Sequence, residues 1–195
     1  MADDHLALQF AVTVRHDGRG GIADDLAEPE GLRQWARARA ELLGLPPGAI
    51  TVDEGVRAAV VEVRTAMRAL FARAVRPGEP SRADAGRLPD AEVALARLNA
   101  AAARTPVVPR LAWPPDGPPR ARLSPVAAGP AADDLAAALA RAAIDFLAGP
   151  DLPRLRACHA PRCVRYFVQS HPRQQWCKPA CGNRARVARH HARTH

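Results

Sequence analysis

Two short stretches decide how this chain is read: Cys158-His159-Ala160-Pro161-Arg162-Cys163 and Trp176-Cys177-Lys178-Pro179-Ala180-Cys181-Gly182-Asn183-Arg184. They hold all four cysteines of the 195-residue chain, in the spacing Cys-x4-Cys-x13-Cys-x3-Cys. Two close thiol pairs lose little chain entropy within each pair, and together they supply the tetrahedral ligand set that zinc takes. Pro179 separates the last two cysteines and a helix-forming stretch follows. Cys181 therefore falls near a helix N-terminus, which favours thiolate over thiol. Two disulfides fit the same count. However, Met1-Ala2-Asp3-Asp4-His5 is acidic where a signal peptide is basic, and a reducing cytoplasm disfavours them. A zinc–thiolate redox switch or an iron–sulfur cluster would use the same cysteines. His159 and His171 could replace a cysteine, but four cysteines already complete a tetrahedron.

Working outward, residues 151–195 hold ten basic residues and a single acid, Asp151, for a local charge of +9. The whole chain carries +8, so residues 1–150 are close to neutral. The segment's large apolar residues are Leu152, Leu155, Val164, Tyr166, Phe167, Val168, Trp176 and Val187, too few to offset the entropy of ordering about 40 residues. A structural zinc ion, worth about 10–16 kcal/mol in such peptides, closes that gap. One zinc ion per chain is the expected cofactor. A basic module without an apolar anchor points to a polyanion, nucleic acid before membrane.

Residues 1–150 read as one mainly helical domain. Alanine supplies 43 residues and aromatic content is 4%, which suits helices packed through small side chains. Leu6 to Val14 is either a first strand or a short buried helix, ended by Asp17-Gly18-Arg19-Gly20-Gly21. Pro29 opens a helix to about Leu43, with Leu32, Trp35 and Leu42 on or near one face and Gly44 as its stop. Thr51 to Glu54 has capping-box spacing, with Thr51 as the N-cap. The longest helix follows, to about Val75, and buries Val56, Val60, Val63, Met67, Leu70 and Phe71. Asp90 caps a helix to about Ala102, with Val93, Ala94 and Leu98 inward. Val107–Trp113 and Ala121–Val126, joined by a proline-rich turn, predict a loose hairpin of edge strands. A last helix spans about Ala131 to Ala148, with Leu135, Leu139, Ile144 and Leu147 inside, and Gly149-Pro150 breaks it.

No run approaches 18 apolar residues, which excludes a membrane-spanning helix. No nucleophile–base pairing, phosphate loop or carboxylate–histidine cluster stands out, so no enzyme is expected. The acidic pairs Asp24-Asp25 and Asp133-Asp134 sit near helix starts and read as first-turn charges. Lys178 is the only lysine among 28 basic residues, a bias that fits a GC-rich bacterial gene.

The segment from Trp176 to Arg184 resembles the signature of the CGNR zinc-finger family, named for Cys-Gly-Asn-Arg. Arg156 to His195 is similar to that finger over its length, including Cys-x4-Cys, Tyr166-Phe167 and His171-Pro172-Arg173. In that family the finger follows a domain called ABATE. Val14-Arg15-His16-Asp17-Gly18, Asp24-Asp25-Leu26, Leu32-Arg33-Gln34-Trp35 and Leu98-Asn99 resemble that domain's pattern. One departure is Leu8-Gln9-Phe10-Ala11-Val12-Thr13, which lacks the polar pair of the relatives' Leu-Asp-Leu-x-Asn-Thr. The resemblance implies a stress-related transcription regulator.

The expected architecture is therefore mainly α: residues 1–150 as a helical domain with a small β-hairpin, and residues 151–195 as a treble-clef-like zinc finger. Cys158, Cys163, Cys177 and Cys181 are the expected ligands. With about 100° per residue and Arg184 at 0°, Arg189, Arg193, Arg186 and His190 fall between about 140° and 240°. Cys181 and Ala188 fall on the other side, near 60° and 40°. Arg186, Arg189, His190 and Arg193, with Lys178, are thus the expected contacts to double-stranded DNA. Trp176, Asn183 and Arg184 are expected to brace the finger. A cytoplasmic DNA-binding regulator is the leading reading, with the helical domain as effector sensor or homodimer module. The alternatives are a protein-interaction adaptor and a redox or ligand sensor that does not bind DNA directly.

Overall fold

The computed structural model describes residues 5–46, 48, 50–84, 86–126 and 131–194, with side chains omitted at 131–133 and 194. The acidic start Met1 to Asp4 and the side chain of Asp133 lie outside the described residues. The chain opens as a helix, α1 (Leu6–Ala11). Its Leu8, Phe10 and Ala11 are buried. A small antiparallel pair follows, β1 (Val14–His16) and β2 (Ile22–Asp24).

The expected helix after Pro29 is broken in two, α2 (Pro29–Arg37) and α3 (Ala40–Leu43), and Gly44 ends the second at φ +66°. Left-handed backbone there is what glycine tolerates without strain. Leu32 is buried as expected, whereas Leu42 is 55% exposed because the break turns it outward.

The centre of the domain is α4 (Glu54–Ala74). Its N-cap is Asp53, not Thr51: the Asp53 carboxylate accepts from the Val56 amide at 2.8 Å, leaving Thr51 exposed outside the helix. Val56, Val60, Val63, Met67, Leu70 and Phe71 are all buried on it. It packs against α5 (Ala91–Ala103) and α6 (Ala131–Leu147). Ala66, Ala69, Ala94, Ala101, Ala140 and Ala143 are buried in this bundle. On α5 the inward residues are Ala94, Leu98 and Ala101; Val93 is exposed. On α6, Leu135, Leu139 and Phe146 are buried, with Ile144 and Leu147 at the edge.

Two arginines of α4, Arg64 and Arg68, are buried along with its apolar face. Arg64 makes two bonds of 2.6 Å to the carboxylate of Asp24 and one to Thr13. Asp24 is therefore a structural ion-pair partner at the end of β2, not a first-turn helix charge. Burial opposes its ionisation, yet hydrogen bonds from Arg64 and the Leu26 amide hold its carboxyl below the ordinary range. Arg68 is the second, and its partners lie partly in the last quarter of the chain.

The hairpin of β3 (Val107–Ala112) and β4 (Arg120–Pro125) is antiparallel over six residue pairs, from Val107 with Pro125 to Ala112 with Arg120. It packs mainly on itself and touches the helices only sparsely. No helix among the described residues is long and apolar enough to cross a membrane.

After α6, a single 3-10 turn (Leu152–Arg154) leads into β5 (Leu155–Ala157), which pairs with β6 (Tyr166–Val168); α7 (Pro179–Thr194) follows. Alternation along β6 gives this hairpin two destinations. Leu155, Ala157, Tyr166 and Val168 join the main helical core, beside α1 and α4. Phe167 turns the other way and joins Cys158, Ala160, Cys163 and Cys181 in a separate small core. The last quarter is thus less self-contained than its composition suggests, because one face of its hairpin completes the core of the helical domain. Val187 contributes to neither core and is exposed.

Candidate metal centre and the basic helix

The first cysteine pair sits at the tip of the β5–β6 hairpin. The strands therefore flank Cys158 and Cys163, and only β6 lies within the thirteen residues between the pairs. The Cys158 amide donates to Arg165 O, and the Cys163 amide donates to Ala160 O, both at 2.9 Å. Arg162 closes this knuckle at φ +64°, a left-handed conformation uncommon for arginine. The second pair comes from the start of α7: Cys177 just precedes it, and Cys181 lies in its first turn.

All four sulfur atoms lie within 4.8 Å of one another. Cys163 Sγ is 3.7 Å from Cys177 Sγ, which is 3.5 Å from Cys181 Sγ. A tetrahedral zinc ion with bonds of about 2.3 Å needs sulfurs about 3.8 Å apart. A disulfide needs about 2.05 Å, and all four cysteines are free thiols. The four cysteines therefore fit one zinc ion. Three of them are buried and Cys177 is half-buried, the closed form of a structural site. Hydrogen bonds from Cys163 and Cys177 pull the Cys158 thiol well below its ordinary range, while the Cys158 thiolate pushes Cys163 above its own. Metal binding displaces the protons these thiols share. His159 and His171 are both exposed and outside the sulfur cluster.

The bracing residues take different parts. Arg184 Nη2 donates to Cys181 Sγ at 3.1 Å, placing a cation against the thiolate set. Asn183 Oδ1 accepts from Arg186 on the exposed side of α7. Trp176 packs against the small core. Its ring also explains Gly182, where a Cβ would meet Trp176 Cδ1 at 3.1 Å. Gly182→Ala gains about 1 kcal/mol of helix propensity, against an overpacking cost of about 1–3 kcal/mol. Trp176 adjoins the ligand Cys177 and packs against the small core, so a ring displaced by the methyl presses on the site. The expected result of Gly182→Ala is weaker zinc retention in a competitive chelator titration; tighter retention would show that the ring yields freely.

Along α7, Cys181, Gly182 and Ala185 are buried, and every described side chain from Arg186 onward is exposed. Arg186, Arg189, His190 and Arg193 stand on this projecting part, and Lys178 is exposed just before the helix. His191 is exposed beside His190, with ring centroids 6.2 Å apart; the angular reading left it out because it falls outside the stripe.

The residues that composition did not reveal lie beneath the finger. Arg68 Nε donates to Asp84 Oδ1 at 2.8 Å, its Nη2 to Asp84 Oδ2 at 3.1 Å, and its Nη1 to Ala11 O at 2.6 Å. The Tyr166 hydroxyl donates to Asp84 Oδ2 at 2.7 Å, and Ser81 Oγ donates to Val164 O at 2.8 Å. This buried network connects α4 and the segment after it to β6.

The fold and site define a class: a helical domain whose core is completed by the hairpin of a four-cysteine zinc finger. Residues 154–194 match the family described as the CGNR zinc finger. Residues 4–150 match ABATE, described as a putative stress-induced transcription regulator. The chain belongs to the ABATE family and carries a CGNR zinc finger after that domain. A search of curated proteins found no match.

Proposed function

We propose that this protein is a cytoplasmic, zinc-dependent, DNA-binding regulator of transcription, without catalytic activity. The observation that carries this reading is the helix standing on the metal site: α7 presents Arg186, Arg189, His190 and Arg193 on its exposed turns, with no acid among residues 179–194. Arginines on a rigid helix suit phosphate and groove contacts. The closed four-thiolate set leaves no open coordination position for catalysis. A groove of about 670 Å³ between α3, α6 and β4, lined by Leu42, Leu45, Leu123, Arg141 and Asp145, is of small-molecule size and supports a sensing role for the helical domain. A single finger makes few base contacts, so a homodimer is the expected DNA-binding form.

The test is a binding-site selection with the intact zinc-loaded protein, followed by salt titration. Each phosphate neutralised contributes about −0.9 to the log–log slope on duplex DNA. Arg189→Ala with Arg193→Ala should make the slope less negative by about 2 and weaken all sequences alike. An unchanged slope removes these side chains from the interface. No enrichment and no salt-dependent duplex binding would favour an adaptor that docks on an acidic protein surface.

A further inference from the structure

The β3–β4 hairpin separates its side chains into two chemically opposite faces. Residues that face each other across the ladder share a face, and successive residues alternate. Val107, Pro109 and Leu111 pair with Pro125, Leu123 and Ala121, which makes one face wholly apolar. Val108, Arg110 and Ala112 pair with Ser124, Arg122 and Arg120. The second face therefore holds three arginines and no acid. Arg110 stands directly opposite Arg122, where Cβ atoms are about 5 Å apart, and diagonal to Arg120, about 7–8 Å away. Like charges directly opposite on a ladder are destabilising. All three arginines are exposed and no carboxylate among the described residues forms an ion pair with them, although Arg120 and Arg122 also border the groove beside α3 and α6 that Glu41, Asp134 and Asp145 line. The one acid on the hairpin, Asp116, lies in the turn.

We propose that this arginine face is a second phosphate-binding surface for duplex DNA, separate from α7. An isolated hairpin is marginal by itself, and a like-charge pair on it is relieved by an anion placed between the guanidiniums. Arginine binds phosphate through two parallel hydrogen bonds. A two-stranded ribbon also has the dimensions to enter the major groove. The arm makes only sparse contacts with the helices, so it can engage DNA without disturbing the core. This proposal rests on the DNA-binding reading above.

The test uses the full zinc-loaded chain and random-sequence duplex DNA. Arg110→Gln, Arg120→Gln and Arg122→Gln together should make the salt slope less negative by about 2 to 3. Zinc content and circular dichroism should stay unchanged. The corresponding triple lysine variant, which keeps the charge, should retain most of the slope. If the glutamine variant keeps the full slope while the Arg189 and Arg193 variant loses its share, the hairpin is not a DNA contact and the functional reading stands. If the unsubstituted protein shows no salt-dependent duplex binding, both fall. A loss confined to single-stranded RNA overturns the hairpin's assignment to duplex DNA.

Discussion

Removing zinc should unfold residues 154–194 and also lower the stability of the helical domain, rather than leave that domain untouched. The metal contributes about 10–16 kcal/mol in isolated fingers, more than the small core of Phe167, Ala160 and Trp176 can replace. Without it, only the small core and a long contact from the Cys177 amide to Cys158 Sγ hold the start of α7 to the knuckle at the tip of β5–β6. The hairpin then loses one of its two attachments. The other is the burial of Leu155, Tyr166 and Val168 in the main core. If β5–β6 follows the metal out, that core loses a tyrosine, a leucine and a valine, at about 1.5–3 kcal/mol for each fully buried large side chain. Segment-resolved hydrogen exchange of the full chain, with and without a strong chelator, checks this. The expected pattern is complete loss of protection across residues 158–185 and partial loss in α1 and α4. Full protection of the finger after the metal has been shown to be gone would defeat the structural-zinc assignment. Cys158→Ser should reproduce much of the chelator effect at saturating zinc, because it removes one of four ligands.

Legibility in the sequence followed how local each determinant is. The four ligands were readable because zinc chemistry fixes both their type and their pairwise spacing, and two of them bracket the start of one helix. The buried face of α4 was readable because Val56, Val60, Val63, Met67 and Phe71 repeat at helical intervals. The same pattern hid Arg64 and Arg68, since a periodicity argument assigns charges to the solvent side. Their partners, Asp24 and Asp84, are 40 and 16 residues away, and Val164 O is 96 residues from Arg68. No local signal marks such a pairing. The cap of α4 failed for a smaller reason: Thr51 and Asp53 are both good caps, and only the observed path of the chain chooses Asp53. The destination of Tyr166 was also hidden. Alternation says that Tyr166 and Phe167 face opposite ways, but not which face meets zinc and which meets α4. In the β3–β4 hairpin, composition gave the strands, while the facing of Arg110 and Arg122 required the register.

Breaking the Arg68–Asp84 pair should be among the most damaging single changes outside the cysteines, and it should weaken zinc binding from a distance. Both side chains are nearly inaccessible, at 3% and 4% exposure. Arg68→Met leaves the Asp84 carboxylate buried with the Tyr166 hydroxyl as its chief donor. Removing one partner of a buried pair costs about 3–5 kcal/mol, a large share of the 5–15 kcal/mol of a typical domain. Replacing both, Arg68→Met with Asp84→Leu, should recover much of that loss, because no charge is then stranded. Tyr166→Phe is the milder probe. Burial and the adjacent Asp84 push the phenol well above its usual range, so it remains a hydrogen-bond donor throughout the neutral region. Its removal takes one donor from Asp84 and the acceptor of the Ser81 amide, at about 1–3 kcal/mol. The decisive measurement is zinc affinity in the same variants. Since β6 carries Tyr166 into the main core and Phe167 into the metal core, strain in the network should appear as weaker zinc retention in both Arg68→Met and Tyr166→Phe. A double-mutant cycle between Tyr166→Phe and Asp84→Asn should then show coupling above 0.5 kcal/mol, as expected for residues in one hydrogen-bond network. Variants that lose thermal stability yet hold zinc as tightly as the parent would show the finger to be energetically independent of the helical domain, despite the shared hairpin.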